Sequence, residues 1–363
     1  MQPSFPFHFI MPIFYGGLLD DPAFFLQIRP TGKSLLFDLG QAQHIAKRVL
    51  KSVEALFITH AHMDHFMGVD KFIRSVLVSP KTIQLFGPPG ITDKFNNKLN
   101  SYDWNLTEKH YCHFIVSEIY DGHLKRFHFS GPEGFKMSYL NEKSLSHKLI
   151  YENKFACVSA VLCDHKIPVA VYHIEEKLPF RLSDEKLSRS GYKKGFWIND
   201  LKIQFIENKL GEKPLWLDRN SEGATFRVKI TDTNELYQQL KANRPKLSVG
   251  YISDVAFNND NRHKINLLMK NITFLISECT YLNENHSRAL STCHLSVRDV
   301  NELLKELKPS FFLPIHLSKT YTNKAFQLYE QLEMPMGCRL LYLPERRTPE
   351  PLLPNQVLMA CKA

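Results

Sequence analysis

Residues 55–68 read ALFITHAHMDHFMG. Leu56, Phe57 and Ile58 form an apolar run of the kind a strand buried on both faces shows, and Thr59 closes it. His60, His62, Asp64 and His65 follow at once. Four such side chains within six residues cannot all face one metal from a regular strand or helix. A tight loop at a strand end splays them into two groups, so that His60 and His62 can serve one ion and Asp64 and His65 another. Imidazoles with a carboxylate suit zinc, manganese or iron, and burying them without a cation would cost on the order of several kcal/mol in unpaired polar groups. Any one of the chain's 16 histidines is by itself better read as a surface or hydrogen-bonded core residue. The dense H-x-H-x-D-H spacing directly after an apolar strand is what sets these apart.

Composition bounds what can surround this loop. With 363 residues, 44% of them hydrophobic and 12% aromatic, the chain can bury a large core. No stretch approaches the roughly 18 to 20 uninterrupted apolar residues of a membrane span, and MQPSFPFHFIMPIF lacks the basic start of a signal peptide, so no membrane association and a cytoplasmic location are expected. Seven cysteines without a C-x-x-C pair argue against a disulfide framework and a structural zinc site. A net charge of +9, spread over many sites, favours an anionic partner.

In chain order, strands and helices alternate without internal repeats. Strands are expected at 24–28 and 34–37, a helix over 41–52, then the histidine loop, a helix near 69–75 and a strand at 82–86. Residues 101–150 are irregular, with aromatic strands such as YCHFIVSEI (111–119) and a turn at SGPEG (130–134). A strand at 155–162 delivers Cys163, Asp164 and His165 to its end, and further strands are expected at 201–207, 224–230, 247–253, 272–277 and 310–315. Ser296 and Asp299 have capping-box spacing ahead of a helix. The charged, turn-rich segment 175–211 reads as an excursion from the core. Asp38, His60, His165, Asp254, Glu278 and His316 each fall at or just beyond the C-terminal end of an expected strand, the edge along which open α/β folds assemble their sites.

These residues and their flanking motifs resemble the metallo-β-lactamase-fold hydrolases and, within them, the ribonuclease Z branch of tRNA 3′-processing endonucleases. The likeness runs through FDLGQAQHIAKRV (37–49), the histidine loop, IQLFGPPGI (83–91), CDHKIPVAVYHIEEK (163–177), FRLSDEKLSRSGYKKGFWINDLK (180–202), YISD (251–254), SECTY (277–281) and LPIHLSKTY (313–321). The resemblance implies an α/β fold, a four-layer αββα sandwich with a surface arm. The hydrolase domain would span 1–345, with 175–211 as a substrate-binding arm and 346–363 as a tail. It implies two Zn2+ ions, with Mn2+ or Fe as alternatives. His60, His62 and His165 would hold one ion, Asp64, His65 and His316 the other, and Asp254 would bridge them. Asp64 counts among the catalytic residues through its ion, Glu278 would orient His294, and His294 would give a proton to the departing 3′ oxygen. Asp38 fits a supporting role, orienting the histidine loop through hydrogen bonds.

Several positions depart from the branch. Its N-terminal Gly-Thr and Pro-Thr loop is absent from MPIFYGGLLDDPAFF (11–25), Val171 stands in place of a Gly, Leu295 in place of a Ser, and Thr320, preceded by Lys319, in place of an Arg. In the arm a Gly-Pro signature is replaced by Lys194-Gly195-Phe196. The expected function is a dinuclear phosphodiester hydrolase removing 3′ trailers from precursor tRNA. The alternatives are a related hydrolase of a small phosphodiester or other ester, and a nucleic-acid-binding protein with a vestigial site. The resemblance also implies a homodimer as a partner state.

Overall fold

The histidine loop leaves the middle of an eight-stranded sheet. The structure is a computed structural model that describes residues 5–221, 224–346, 355 and 357–359. It divides into two units, Met1–Lys177 with Leu247–Ala363, and Leu178–Lys246. Most of the tail expected over 346–363 lies outside the described residues.

In the larger unit, β1 (Ile10–Phe14), β2 (Phe24–Ile28), β3 (Lys33–Phe37), β4 (Val53–Phe57), β5 (Thr82–Gly87), β6 (His113–Tyr120), β7 (His123–Ser130) and β8 (Met137–Ser144) lie side by side in chain order. The steps from β3 to β6 are parallel. The strands that follow are β9 (Leu149–Glu152), β10 (Ala156–Asp164) and β11 (Pro168–Glu176). After β12 (Leu215–Ser221) and β13 (Ala224–Ile230), which form the smaller unit's hairpin, come β14 (Ser248–Ile252), β15 (Phe274–Glu278), β16 (Phe311–Ile315), β17 (Arg339–Tyr342) and β18 (Leu358–Met359). Apart from the hairpin, these form a second sheet in the order β18-β17-β16-β15-β14-β11-β10-β9.

The alternation of side chains decides how the sheets meet. One face of β2 to β5 carries Phe24, Phe37, Phe57 and Phe86, whose rings follow one another at 5.6, 4.8 and 5.1 Å between centroids. Tyr172 and Tyr251 of the second sheet pack against them. Each buried ring contributes roughly 1.5 to 3 kcal/mol relative to exposure. On the opposite face, Leu36, Leu56, Ile83 and Leu85 pack with the apolar stripes of the helices Val69–Val76 and Ile91–Asn100. The helices Asn259–Leu268 and Val297–Leu307 bury Ile265, Val300, Leu303 and Leu304 in the core that the second sheet shares. The result is the expected αββα sandwich. The Ser296–Asp299 capping box is present, with Ser296 N–H and Oγ–H donating to Asp299 Oδ2 at 2.8 and 2.7 Å.

Two expectations are corrected. The helix near 41–52 is only Lys47–Ser52, because residues before it make a turn in which Ile45 N–H bonds back to Ala42 while still burying Ile45. Residues 201–207 are not a strand but the end of the helix Trp197–Ile206. Their alternation of Leu201, Ile203 and Phe205 mimics a strand, yet Trp197 and Leu201, one helical turn apart, are the fully buried apolar anchors, and Ile203 and Ile206 are exposed. Within 101–150, the expected aromatic strand is β6 and SGPEG turns the chain after β7, with β8 following. The smaller unit has its own core of Leu187, Trp197, Leu201, Leu215, Leu217, Leu236, Tyr237 and Leu240. The six described cysteines are free.

Candidate metal centre

The strands deliver the six edge residues as expected: Asp38 just after β3, His60 past β4, His165 after β10, Asp254 past β14, Glu278 as the last residue of β15, and His316 after β16. Two glycines let the histidine loop close on its neighbour. A Cβ on Gly40 would lie 2.1 Å from the Asp64 carbonyl oxygen, and one on Gly68 2.3 Å from that of Gly40. Leu39 N–H donates to the His65 carbonyl and Gly68 N–H to the Leu39 carbonyl, each at 2.9 Å.

The side chains converge in two groups that share Asp254. Ligand atoms of His60, His62, His165 and Asp254 all lie within 4.8 Å of one another, and so do those of Asp64, His65, Asp254 and His316. Asp254 Oδ2 stands 3.7 Å from His60 Nε2, 3.4 Å from His65 Nε2 and 3.8 Å from His165 Nε2. Its Oδ1 is 3.2 Å from His316 Nδ1, while Asp64 Oδ2 is 3.1 Å from His316 Nε2. A cavity of about 290 Å3 opens beside Asp64 and His316, with Lys319 Nζ 3.3 Å from Asp21 at its wall.

Neighbouring groups fix which nitrogen of each ring faces the centre. Thr59 Oγ–H donates to both Asp38 oxygens at 3.0 and 2.8 Å, so its lone pair is left to accept from His60 Nδ1 at 3.0 Å. His65 Nδ1 donates to Asp38 Oδ2 at 3.0 Å, and His165 Nδ1 donates to the Cys293 carbonyl at 2.7 Å. Each Nε2 therefore faces inward and offers a lone pair when its ring is neutral. Those of His60 and His65 are buried without a hydrogen-bond partner, facing the Asp254 carboxylate. A lone pair aimed at a buried carboxylate repels it, and a bound cation removes the conflict. Without a cation, burial opposes charging of His65, but Asp254 and Asp38 outweigh it and raise the His65 pKa well above its ordinary value, so that its ring carries a proton instead. Nitrogen and oxygen donors of this kind suit a borderline divalent metal, so the residues fit the ions the fold implies. Burial, reinforced by the charge of His65, pushes the His60 pKa down to about 2, so its ring is a neutral ligand. Burial would raise the Asp254 carboxyl, but His316 and His65 hold it well below the usual range.

A third group, Asp254, Glu278, His294 and His316, lies alongside. Glu278 is already occupied: Oε1 accepts from Val255 N–H at 2.7 Å, and Oε2 from Thr280 Oγ at 2.5 Å and His294 Nδ1 at 3.0 Å. Burial opposes charging of His294, yet the Glu278 carboxylate outweighs it and raises the pKa to about 9. Glu278 thus positions the His294 ring next to the candidate ligands without the ring needing to be one.

Sequence reading did not single out Thr59, Tyr251, Thr280 or the Cys293 carbonyl. Tyr251 OH donates to Asp38 Oδ2 at 3.1 Å, and Thr280 Oγ lies 3.3 Å from His316 Nδ1 as well as against Glu278. Thr59 and Thr280 were legible as hydroxyls beside His60 and Glu278. The backbone carbonyl left no signal.

Residues 22–104 match the model of the metallo-beta-lactamase superfamily. The metallo-beta-lactamase fold protein YhfI from Bacillus subtilis superimposes with a TM-score of 0.50 at 13% identity, over 90% of this chain and 94% of that one. The chain is a metal-dependent hydrolase of the metallo-β-lactamase fold. The chain also resembles curated proteins named ribonuclease Z. It is 26% identical to Ribonuclease Z of Prochlorococcus marinus (strain MIT 9215) over 82% of this chain and 83% of that protein, and 24% identical to Ribonuclease Z of Halalkalibacterium halodurans over 85% of each. Among the described residues, no helix is long and apolar enough to cross a membrane.

Proposed function

We infer that the protein is a ribonuclease Z-like endonuclease that removes 3′ trailers from precursor tRNA with two zinc ions. His60, His62 and His165 would hold one ion, Asp64, His65 and His316 the second, with Asp254 shared. When bound, such ions supply a nucleophile from water near neutral pH and stabilise the charge that develops on the phosphate. The chain's own residues do the rest. Asp38 and Thr59 hold the histidine tautomers, and Asp254 fixes the spacing of the two donor groups. His294, oriented by Glu278, gives its proton to the departing 3′ oxygen, a contribution typically worth about 10² to 10⁴-fold.

The observation that carries this reading is the His294–Glu278 pair, 3.0 Å apart, placed directly against a donor set organised on one carboxylate. An ester with a good leaving group needs no such pair, whereas an alkoxide such as the ribose 3′ oxygen does. The cavity beside Asp64 and His316, walled by Lys319 and Asp21, favours a second reading, hydrolysis of a small phosphodiester. A cleavage assay comparing precursor tRNA with bis(4-nitrophenyl) phosphate tests the two. Cleavage 3′ of the acceptor stem supports the first, and turnover of the small substrate alone overturns it.

A further inference from the structure

The hairpin of the smaller unit faces outward in an unusual way. Leu215 and Leu217 of β12, and Val228 and Ile230 of β13, turn into the unit's core. Period-two alternation then sends Trp216 to the opposite face, where it is 53% exposed. Its cross-strand neighbours are cations: the Arg227 guanidinium lies 5.8 Å and Lys229 Nζ 5.9 Å from the centroid of the indole. The register pairs Trp216 with Lys229, and Asp218 with Arg227. Near the tip, Lys193 Nζ donates to Thr225 Oγ1 at 2.9 Å, which extends the line of positive charge. Three cations and an indole stand against the single carboxylate of Asp218.

We propose that this face is a stacking platform for single-stranded RNA, with an unpaired base lying on Trp216 and the flanking phosphates held by Arg227, Lys229 and Lys193. The inference rests on the RNA-processing reading above and adds how the smaller unit recognises RNA. An indole half-exposed between cations offers a flat apolar face to a base and positive charge to its phosphates. A duplex hides its base faces within the stack, so the platform discriminates in favour of unpaired nucleotides. The field of the unit agrees: residues 178–246 carry 14 Lys and Arg against 9 Asp and Glu, +5 of the chain's +9 in 69 residues.

The test uses the full-length, metal-loaded protein and two probes, an unstructured oligoribonucleotide of about 12 nucleotides and a blunt RNA duplex of the same length. Trp216→Ala is expected to weaken single-strand binding about ten-fold or more, Trp216→Phe only a few-fold, and neither is expected to change duplex binding. Arg227→Gln with Lys229→Gln should weaken binding and flatten its salt dependence. The single strand should quench indole fluorescence in the native protein, and Trp216→Phe should remove that component. This last readout holds even where Trp216→Ala proves unstable. Unchanged single-strand affinity in a folded Trp216→Ala variant, equal losses on strand and duplex, or quenching that persists in Trp216→Phe would each overturn the platform. Hydrolysis of bis(4-nitrophenyl) phosphate should be unaffected by all these variants. If precursor tRNA is not cleaved while single-strand binding still depends on Trp216, the endonuclease reading fails and the platform stands.

Discussion

The metal centre and the Leu178–Lys246 unit carry their chemistry in opposite ways. In the centre, His60, His65, His165 and Asp254 are buried, only His62 among the candidate ligands is exposed, and most of the side chains are held by another group. Asp38 alone accepts from Thr59 N–H, Thr59 Oγ, His65 Nδ1 and Tyr251 OH, which ties the histidine loop to both sheets. In the smaller unit the cations stand at the surface, and Lys194 meets Asp184 at 2.7 Å with both side chains mostly in water. On the proposed function, the contrast follows from what each would recognise. A reacting phosphate must be met at fixed points, which demands a site determined from several directions at once. A polyanion far larger than the site needs only a field and a few flat faces. Loss of one group should therefore be severe in the centre and graded in the unit.

The sharpest way to break this comparison is Asp254→Ala. The native protein is expected to hold about two transition metals per chain. Without the shared carboxylate both sites should empty and turnover fall to background, whereas Asp64→Ala or His316→Ala should each cost mainly one ion. Elemental analysis that finds less than about half an ion in the native protein, or unchanged content in these variants, would defeat the dinuclear assignment. Next in size is His294→Ala, which should keep its metals and lose about 10² to 10⁴ in kcat on a ribose leaving group. Glu278→Gln should follow it, and a 4-nitrophenyl ester should be rescued in part because its leaving group needs no proton. Metal loss in the His294 variant would place that residue among the ligands instead.

Asp38→Asn probes the support behind the ligands. An amide that donates toward Thr59 or His65 conflicts with donors already there, so His65 loses the partner that fixes its tautomer. Metal affinity should fall about 10 to 100-fold with the residue itself out of contact with the ion. A competition titration with a chelator that shows no change would mean that packing alone orients His65.

This contrast also explains what the sequence could and could not reveal. The edge residues of the centre were readable because strand ends, dense ligand spacing and buried apolar runs are local patterns. Asp38, His60 and His316 could be placed without knowing any contact. The groups that fix tautomers were less visible, since the Cys293 carbonyl has no side chain to read and Tyr251 looks like any core aromatic until the sheets are paired. The smaller unit was read least well. LKIQF satisfies a strand and a helix equally over five residues, and only its packing, Leu201 in the unit's core and the Phe205 ring against Phe180 and Tyr237, selects the helix. Trp216 passed unnoticed because its meaning comes from the cross-strand neighbours Arg227 and Lys229, which a linear pattern does not show.

The smallest effects belong to the arm lysines, and they separate a working field from idle solvated charge. Lys193 points its ammonium at a neutral hydroxyl, Thr225 Oγ1, so a phosphate can take it over with little competition. Lys194 must first leave Asp184, and the carboxylate left behind repels the same phosphate. Lys193→Ala should therefore weaken precursor-tRNA binding a few-fold and reduce the slope of log K against log salt by roughly 0.7 to 0.9, the value of one phosphate contact. Lys194→Ala should do less, and Asp184→Asn, which releases Lys194, should strengthen binding slightly. None of the three should alter hydrolysis of bis(4-nitrophenyl) phosphate. Equal losses on both substrates would mean that these residues support the fold of the centre. If affinity and salt slope stay unmoved across all three variants, the lysines are merely solvated, and the small-phosphodiester reading gains on the tRNA one.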